Sequence, residues 1–113
     1  MLNKLKLNKE FRRAYSRGDS FVNAGFVTYV FRTRGDEIRF GITVSKKLGG
    51  AVLRNRAKRL ITAAFRECKP NIKGGCDFVF VARNAIFKMK SYDIAEEMKK
   101  QFISAELWKE NDQ

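Results

Sequence analysis

Histidine is absent from this chain of 113 residues. Acidic residues are also scarce, with 12 Asp and Glu against 24 Lys and Arg. Hydrolysis of a phosphodiester usually needs a histidine for proton transfer or a cluster of carboxylates that holds two metal ions. We therefore expect the chain to supply neither a catalytic residue nor a metal site of its own for such chemistry.

Cysteines are also few, long apolar runs are absent from the sequence, and both features bear on cellular location. Cys68 and Cys76 are the only cysteines, and their spacing lacks the four-ligand pattern of a structural zinc site. Since no secretory signal opens the chain, we expect reduced thiols in the cytoplasm, with a disulfide as the less favoured alternative. No apolar run approaches the roughly 20 residues that cross a bilayer, so we expect no membrane insertion.

The basic residues are concentrated in one acid-free segment, residues 45–66. It contains Lys46, Lys47, Arg54, Arg56, Lys58, Arg59 and Arg66. These like charges, and the formal net charge of +12, oppose compaction unless a polyanion offsets them. Nucleic acid is the favoured partner, and a merely solvated surface or an anionic membrane is the alternative.

Periodicity predicts an amphipathic helix over residues 51–69, after a turn at Gly49 and Gly50 and before Pro70. Its polar side consists of Arg54, Asn55, Lys58, Arg59, Thr62, Arg66 and Lys69. Its apolar side consists of Leu53, Ala57, Leu60, Ile61 and Ala64. The helix dipole disfavours Arg54 and Arg56 near the N-terminus, and a phosphate bound there would reverse that penalty.

The rest of the chain predicts two further helices and three strands. Asn8 is expected to cap a helix over 9–17, and Ser91 to cap a final helix with the apolar stripe Ile94, Met98, Phe102 and Ala105. Strands 21–32 and 38–45 are expected to form a hairpin, the second with Ile38, Phe40, Ile42 and Val44 on one buried face. An almost wholly apolar strand, 77–83, is expected to be covered on both faces. The order is α-β-β-α-β-α, and residues 1–113 are expected to form a single α+β domain.

Aromatic residues divide into a candidate ligand-binding set and a core set. Phe11 and Tyr15 are four residues apart and share one helix face. Taken alone, such a pair is more often core packing than a binding surface. The remaining phenylalanines, including Phe26, Phe78, Phe80 and Phe102, are assigned to the core.

Ser45-Lys46-Lys47, the paired glycines and residues 52–61 together resemble the "RNR" signature of the bacterial ribonuclease P protein subunit. Other features occur in the family's order over residues 5–107, including Phe11, Tyr15, the strand residues 26–29 and 78–83, and the final helix. The resemblance implies a sandwich like domain 2 of ribosomal protein S5, with a left-handed β-α-β crossover around the basic helix. General rules would make such a crossover right-handed.

This resemblance also implies a function. The protein would bind the catalytic RNA of ribonuclease P and the 5′ leader of precursor tRNA, and it would promote removal of that leader. The RNA would carry the chemistry, with Mg²⁺ held by the RNA and the substrate; neither DNA nor a membrane is implied as a partner. The implied RNA-binding residues are Lys46, Lys47, Arg54, Asn55, Arg56, Lys58, Arg59 and Arg66. The implied leader cleft consists of Phe11, Tyr15 and Tyr29.

The sequence departs from the family's pattern at two places, and alternatives remain open for Asn55 and for the function. Thr62 stands where many members of the family carry a cation, and Ala24-Gly25 replaces a basic and polar pair. Asn55 could cap a helix rather than contact RNA. At the level of function, the alternatives are a general RNA-binding module of ribosomal or chaperone type, a protein-only nuclease and a membrane-surface protein.

Overall fold

In the computed structural model, which describes residues 2–109, three α-helices pack on a five-stranded mixed sheet. The elements are β1 (Asn3–Lys4), α1 (Asn8–Arg17), β2 (Asp19–Val22), β3 (Phe26–Arg32), β4 (Ile38–Thr43), α2 (Ala51–Cys68), β5 (Cys76–Ala82) and α3 (Ser91–Ser104). The strand order is β1-β4-β5-β3-β2. β4 is parallel to both β1 and β5, whereas β3 is antiparallel to β5 and β2. Thus α2 connects the parallel neighbours β4 and β5. The single domain expected for residues 1–113 extends beyond the described residues at both ends and stays a prediction.

β5 is the central strand, and its position overturns the predicted hairpin between strands 21–32 and 38–45. It pairs with β3 on one side and with β4 on the other, so those two strands do not touch as neighbours. All of its residues except Val81 are buried, which confirms that both faces are covered. An apolar run of this kind is most stable at the middle of a sheet, where both of its faces are covered. β5 takes that position and therefore separates the two strands that are adjacent in sequence.

The segment predicted as one strand over 21–32 is two strands. Asn23 Oδ1 accepts hydrogen bonds from the backbone N–H groups of Gly25 and Phe26, at 2.8 and 2.9 Å, and this turn reverses the chain. β2 then pairs antiparallel with β3, from Asp19 opposite Val30 to Val22 opposite Val27. The hairpin of this protein lies here.

The predicted helix caps at Asn8 and Ser91 are wrong, because both residues are the first of their helices. At α1, the Glu10 carboxylate accepts the backbone N–H groups of Lys6 and Leu7, at 3.1 and 3.0 Å. At α3, Asp93 accepts the backbone N–H of Lys90. In each helix, the side chain that accepts backbone N–H groups at the N-terminus is therefore an acid at the third helical position, and not a residue before the helix.

The two faces of the sheet carry separate apolar clusters. α2 and α3 cover one face, where Phe26, Phe78, Phe80 and Phe102 are fully buried as predicted. The stripe of α3 also packs there, since Ile94, Met98, Phe102 and Ala105 are all buried. α1 covers the opposite face, over a smaller cluster built on Leu5, Ala14 and Val79.

Helix α1 corrects the prediction of a single buried face for β4. The ring of Phe11 lies directly over Gly41, where a Cβ atom would come within 2.4 Å of the ring Cζ atom. Gly41 is accordingly buried, although it faces away from Phe40 and the main core. A glycine at this point lets α1 approach the sheet closely, beside the open edge described below.

Candidate nucleic-acid interface

Helix α2 presents its cations to solvent and its apolar residues to the core. Ala57, Ile61, Ala64, Phe65 and Cys68 are buried, which confirms the amphipathic arrangement. The exposed residues of its basic face are Asn55, Arg56, Lys58, Arg59 and Arg66. Leu53 departs from the prediction, because 41% of its surface is exposed. It lies in the first turn of the helix, where its side chain packs on Gly49 in place of the core.

The N-terminus of α2 is open towards Lys46 and Lys47, which are exposed in the turn that precedes it. Gly49 adopts a φ of 140°, a backbone conformation that favours glycine, and so turns the chain into the helix. No side chain among the described residues caps this N-terminus. The free backbone N–H groups and the dipole of this N-terminus favour an anion there, and two exposed lysines precede it in the chain.

Arg54 is the half-buried member of the basic set. Its Nε atom is buried, and it has no hydrogen-bond partner among residues 2–109. A buried N–H group without an acceptor is costly, so Arg54 is held less favourably than the exposed cations of this face.

Two of the three residues predicted for the aromatic cleft, Tyr15 and Tyr29, are in contact between α1 and the sheet. The rings of Tyr15 and Tyr29 meet edge to face, with centroids 5.0 Å apart. Tyr15 Oη lies 2.6 Å from the hydroxyl oxygen of Thr43 on β4, and 38% of the tyrosine's surface is exposed. Phe11 and Tyr29 are half-buried, whereas Tyr15 is exposed, so Tyr15 has the most accessible ring of the three.

Tyr15 lies beside an edge of the sheet, through its contact with Thr43 on β4. β1 pairs with Arg39 and Phe40, and within residues 2–109 the outer edge of β4 beyond Phe40 has no partner strand. An open groove runs along that edge, between Phe11 and Tyr15 on α1 and Lys58 on α2. Lys58 thus belongs both to the basic face of α2 and to the aromatic groove. The groove therefore brings Phe11 and Tyr15 together with Lys58, whereas Tyr29 does not line it and is connected to it through its contact with Tyr15.

A buried ion-pair network, which was not predicted from the sequence, holds α1 on the sheet. Asp77 on β5 is 1% exposed and accepts hydrogen bonds from Arg39 Nε and Nη2, both at 2.9 Å, and from Arg13 Nη2 at 3.1 Å. Arg39 also donates to Glu10 at 2.8 Å, and Arg13 lies 4.5 Å from the centre of the Phe31 ring. Arg13 and Glu10 belong to α1, so the network fixes the helix that carries Phe11 and Tyr15. The signal in the sequence was an aspartate within an otherwise apolar strand.

Two pKa shifts accompany this network. Hydrogen bonds from the backbone N–H of Leu7, followed by that of Lys6 and by the charge of Arg39, hold the pKa of Glu10 below its ordinary value. The hydrogen bonds and charge of Asp77 raise the pKa of Arg39 above its ordinary value. Both groups are therefore charged at neutral pH, as the ion pairs require.

Metal ligands and reactive thiols are not part of this surface. Within residues 2–109, no group of three His, Cys, Asp or Glu side chains could hold a metal ion. Cys68 and Cys76 are both free and buried, and burial raises the pKa of Cys68 to about 12. No helix in the described part of the chain is long and apolar enough to cross a membrane.

Comparisons with known proteins agree on one family. The family model described as Ribonuclease P matches residues 2–106. The "Ribonuclease P protein component" of Shouchella clausii is 40% identical over 110 residues, which cover 93% of this chain and 90% of that protein. Among solved structures, the RNase P protein of Staphylococcus aureus superposes with a TM-score of 0.82 at 35% identity, over 96% of this chain and 99% of the other. The protein from Thermotoga maritima gives 0.79 at 28% identity, over 88% and 94%. These likenesses confirm the α+β fold class expected from the sequence.

Proposed function

This chain belongs to the ribonuclease P protein family, and we propose that it acts as the protein subunit that holds the catalytic RNA and the 5′ leader of precursor tRNA. In this proposal, the basic face of α2 and the lysines before it contact phosphates. Phe11, Tyr15 and Tyr29 contact leader bases. Binding promotes endonucleolytic removal of the leader and gives the mature 5′ end of the tRNA.

The observation that carries the proposal is the continuity of the two surfaces at Lys58. Single-stranded nucleic acid is held best where cations follow the backbone and aromatic rings stack with bases, each stack contributing about 1–3 kcal/mol whatever the base. The open edge of β4 provides such a groove, with Tyr15 on one side and Lys58 on the other.

Chemistry is assigned to the RNA in this proposal. The carboxylates of the network that holds α1, Glu10 and Asp77, are engaged with arginines. The donor set of the described residues does not fit a Mg²⁺ site, so we propose that the Mg²⁺ needed for hydrolysis is bound by the catalytic RNA and the substrate. The protein contributes positive charge that offsets repulsion between those two RNA molecules.

The buried, free thiols of Cys68 and Cys76 suit a reducing compartment. We include a cytoplasmic location in the proposal on that ground. No contact with DNA or with a membrane forms part of it.

Reconstitution with the family's catalytic RNA tests the proposal. The purified chain alone should leave precursor tRNA intact, and adding it to the RNA should restore cleavage at low magnesium. Its complex should also bind precursor tRNA more tightly than mature tRNA. Equal affinity for the two would support the alternative of a general RNA-binding module, and cleavage without added RNA would support a protein-only nuclease.

Two variants assign the surfaces. Arg59→Ala should weaken RNA binding by about 1–3 kcal/mol and flatten the dependence of affinity on salt, because the variant neutralises one phosphate fewer. Arg34→Ala removes the same charge from the exposed turn between β3 and β4 and serves as the matched control. Tyr29→Ala should reduce the preference for precursor over mature tRNA. Equal reductions in affinity for both substrates would indicate a folding defect instead.

A further inference from the structure

The aromatic groove does not end at Lys58. It continues along α2 past Gly41 and Thr62, where Lys4 of β1 forms the opposite wall. Beyond Thr62 it opens into a wider pocket at the C-terminal end of the helix. Each section shares a lining residue with the next. Lys58 lines both the aromatic groove and its continuation, and Thr62 lines both the continuation and the wider pocket.

The wider pocket combines cations with an apolar floor. Lys4, Arg66, Lys69 and Lys109 line it, together with Leu2, Ile38, Pro70 and Ile72. Its volume of about 740 Å³ lies within the range of ordinary ligand sites, about 300–1,000 Å³. Among the described residues that line it, none is acidic. Such a pocket suits a ligand that carries phosphates together with flat apolar rings, and single-stranded RNA has both.

The spacing along α2 connects this pocket to the aromatic groove. Lys58, Thr62 and Arg66 follow one another at intervals of four residues and so form one strip of the helix surface. The eight residue steps from Lys58 to Arg66 span about 12 Å along the helix axis. A strand that leaves the aromatic groove beside Lys58 would therefore reach Arg66 after a short neutral gap at Thr62.

We propose that the pocket formed by Lys4, Arg66, Lys69 and Lys109 is a second subsite for single-stranded RNA, which binds leader nucleotides beyond those held in the aromatic groove. This inference rests on the proposed function and extends it. Cations of the pocket contact the phosphates, and the apolar floor receives a base. The protein then recognises longer leaders more tightly than short ones, without reading their sequence.

Precursor tRNAs with leaders of increasing length test this subsite in the reconstituted holoenzyme. The informative variant is Lys4→Ala combined with Lys109→Ala, because both side chains are exposed and neither belongs to α2. Lys88→Ala combined with Lys100→Ala removes the same charge from exposed positions outside the pocket.

With the unchanged chain and with the control, affinity should rise with leader length and then level off. With the pocket variant, it should level off at a shorter leader, with a reduction of roughly tenfold confined to long leaders. For single-stranded RNA, the salt slope should fall by about 0.7 for each phosphate that the variant no longer neutralises. An unchanged length profile, or a reduction equal at all lengths, would overturn the second subsite. Failure of the unchanged chain to prefer leader-bearing tRNA at all would instead overturn the proposed function.

Discussion

Replacement of Asp77 by asparagine tests how the helix that carries the aromatic cleft is held. The carboxylate is 1% exposed and accepts three hydrogen bonds from the guanidinium groups of Arg13 and Arg39. Asparagine keeps the volume, but it removes the negative charge and presents an NH₂ group to two cations. The bonds to Oδ2 are removed, and both arginines are left without a counter-charge at β5.

The expected decrease in free energy of unfolding is about 2–4 kcal/mol for Asp77→Asn. Removing one partner of a fully buried ion pair costs about 3–5 kcal/mol, because the other charge remains desolvated. The side chains of Arg13 and Arg39 are 39% and 29% exposed, so water recovers part of that cost. The two hydrogen bonds to Oδ2, at about 1.5–3 kcal/mol each, give about 3–6 kcal/mol before the same recovery by water is taken into account.

Urea denaturation followed by circular dichroism measures this decrease. Asp36→Asn is the matched control, since Asp36 is exposed in the turn before β4, and it should change stability by no more than about 0.5 kcal/mol. The double variant Asp77→Asn with Arg13→Ala should be destabilised by less than the sum of the two single effects. The difference from that sum should be about 1 kcal/mol. An effect of Asp77→Asn as small as that of the control would refute the view that this network anchors α1.

Three further predictions concern single residues. Because the pKa of Glu10 is lowered in the folded protein, its contribution to stability is present above the ordinary value of 4.5 and is lost as pH falls through the lowered value. Glu10→Gln should therefore flatten the acid side of a plot of unfolding free energy against pH, and an unchanged plot would contradict the capping role. Cys68, with its pKa raised to about 12, should resist alkylation at neutral pH in the native protein and react once urea unfolds it; rapid native labelling would argue against its burial. Gly41→Ala should cost about 1–3 kcal/mol, because the new methyl group displaces the Phe11 ring. It should also lower the preference for precursor tRNA, and a variant with wild-type stability and preference would contradict the close packing of α1 on β4.

Local sequence patterns were enough to predict those elements that can be recognised without knowing which other elements lie beside them. The cations and apolar residues of α2 alternate with helical period, and proline at position 70 follows its end, so its bounds were predicted to within one residue. The stripe of α3 was predicted in the same way. β5 was recognised as doubly covered because it is almost wholly apolar, and that holds in any sheet that places it centrally.

Strand pairing could not be predicted from such patterns. The predicted hairpin of strands 21–32 and 38–45 rested on their closeness in the sequence, and nothing local indicates that residues 76–82 come between the two strands. The network around Asp77 was missed for the same reason. Its members, Glu10, Arg13, Arg39 and Asp77, come from three elements that only the tertiary fold brings together. The groove between Tyr15 and Lys58 is likewise a product of the short β1, which leaves an edge open.

The central position of β5 also sets the order in which the chain can fold. Residues 76–82 join the β2–β3 hairpin to the β1–β4 pair, yet they are made after both. A nascent chain that has emerged only as far as α2 carries two unlinked halves of a sheet, with unpaired strand edges and a cationic helix that has no surface to cover. Folding of the sheet must therefore wait until residues 76–82 have been made, and its contacts between distant parts of the chain favour slow assembly.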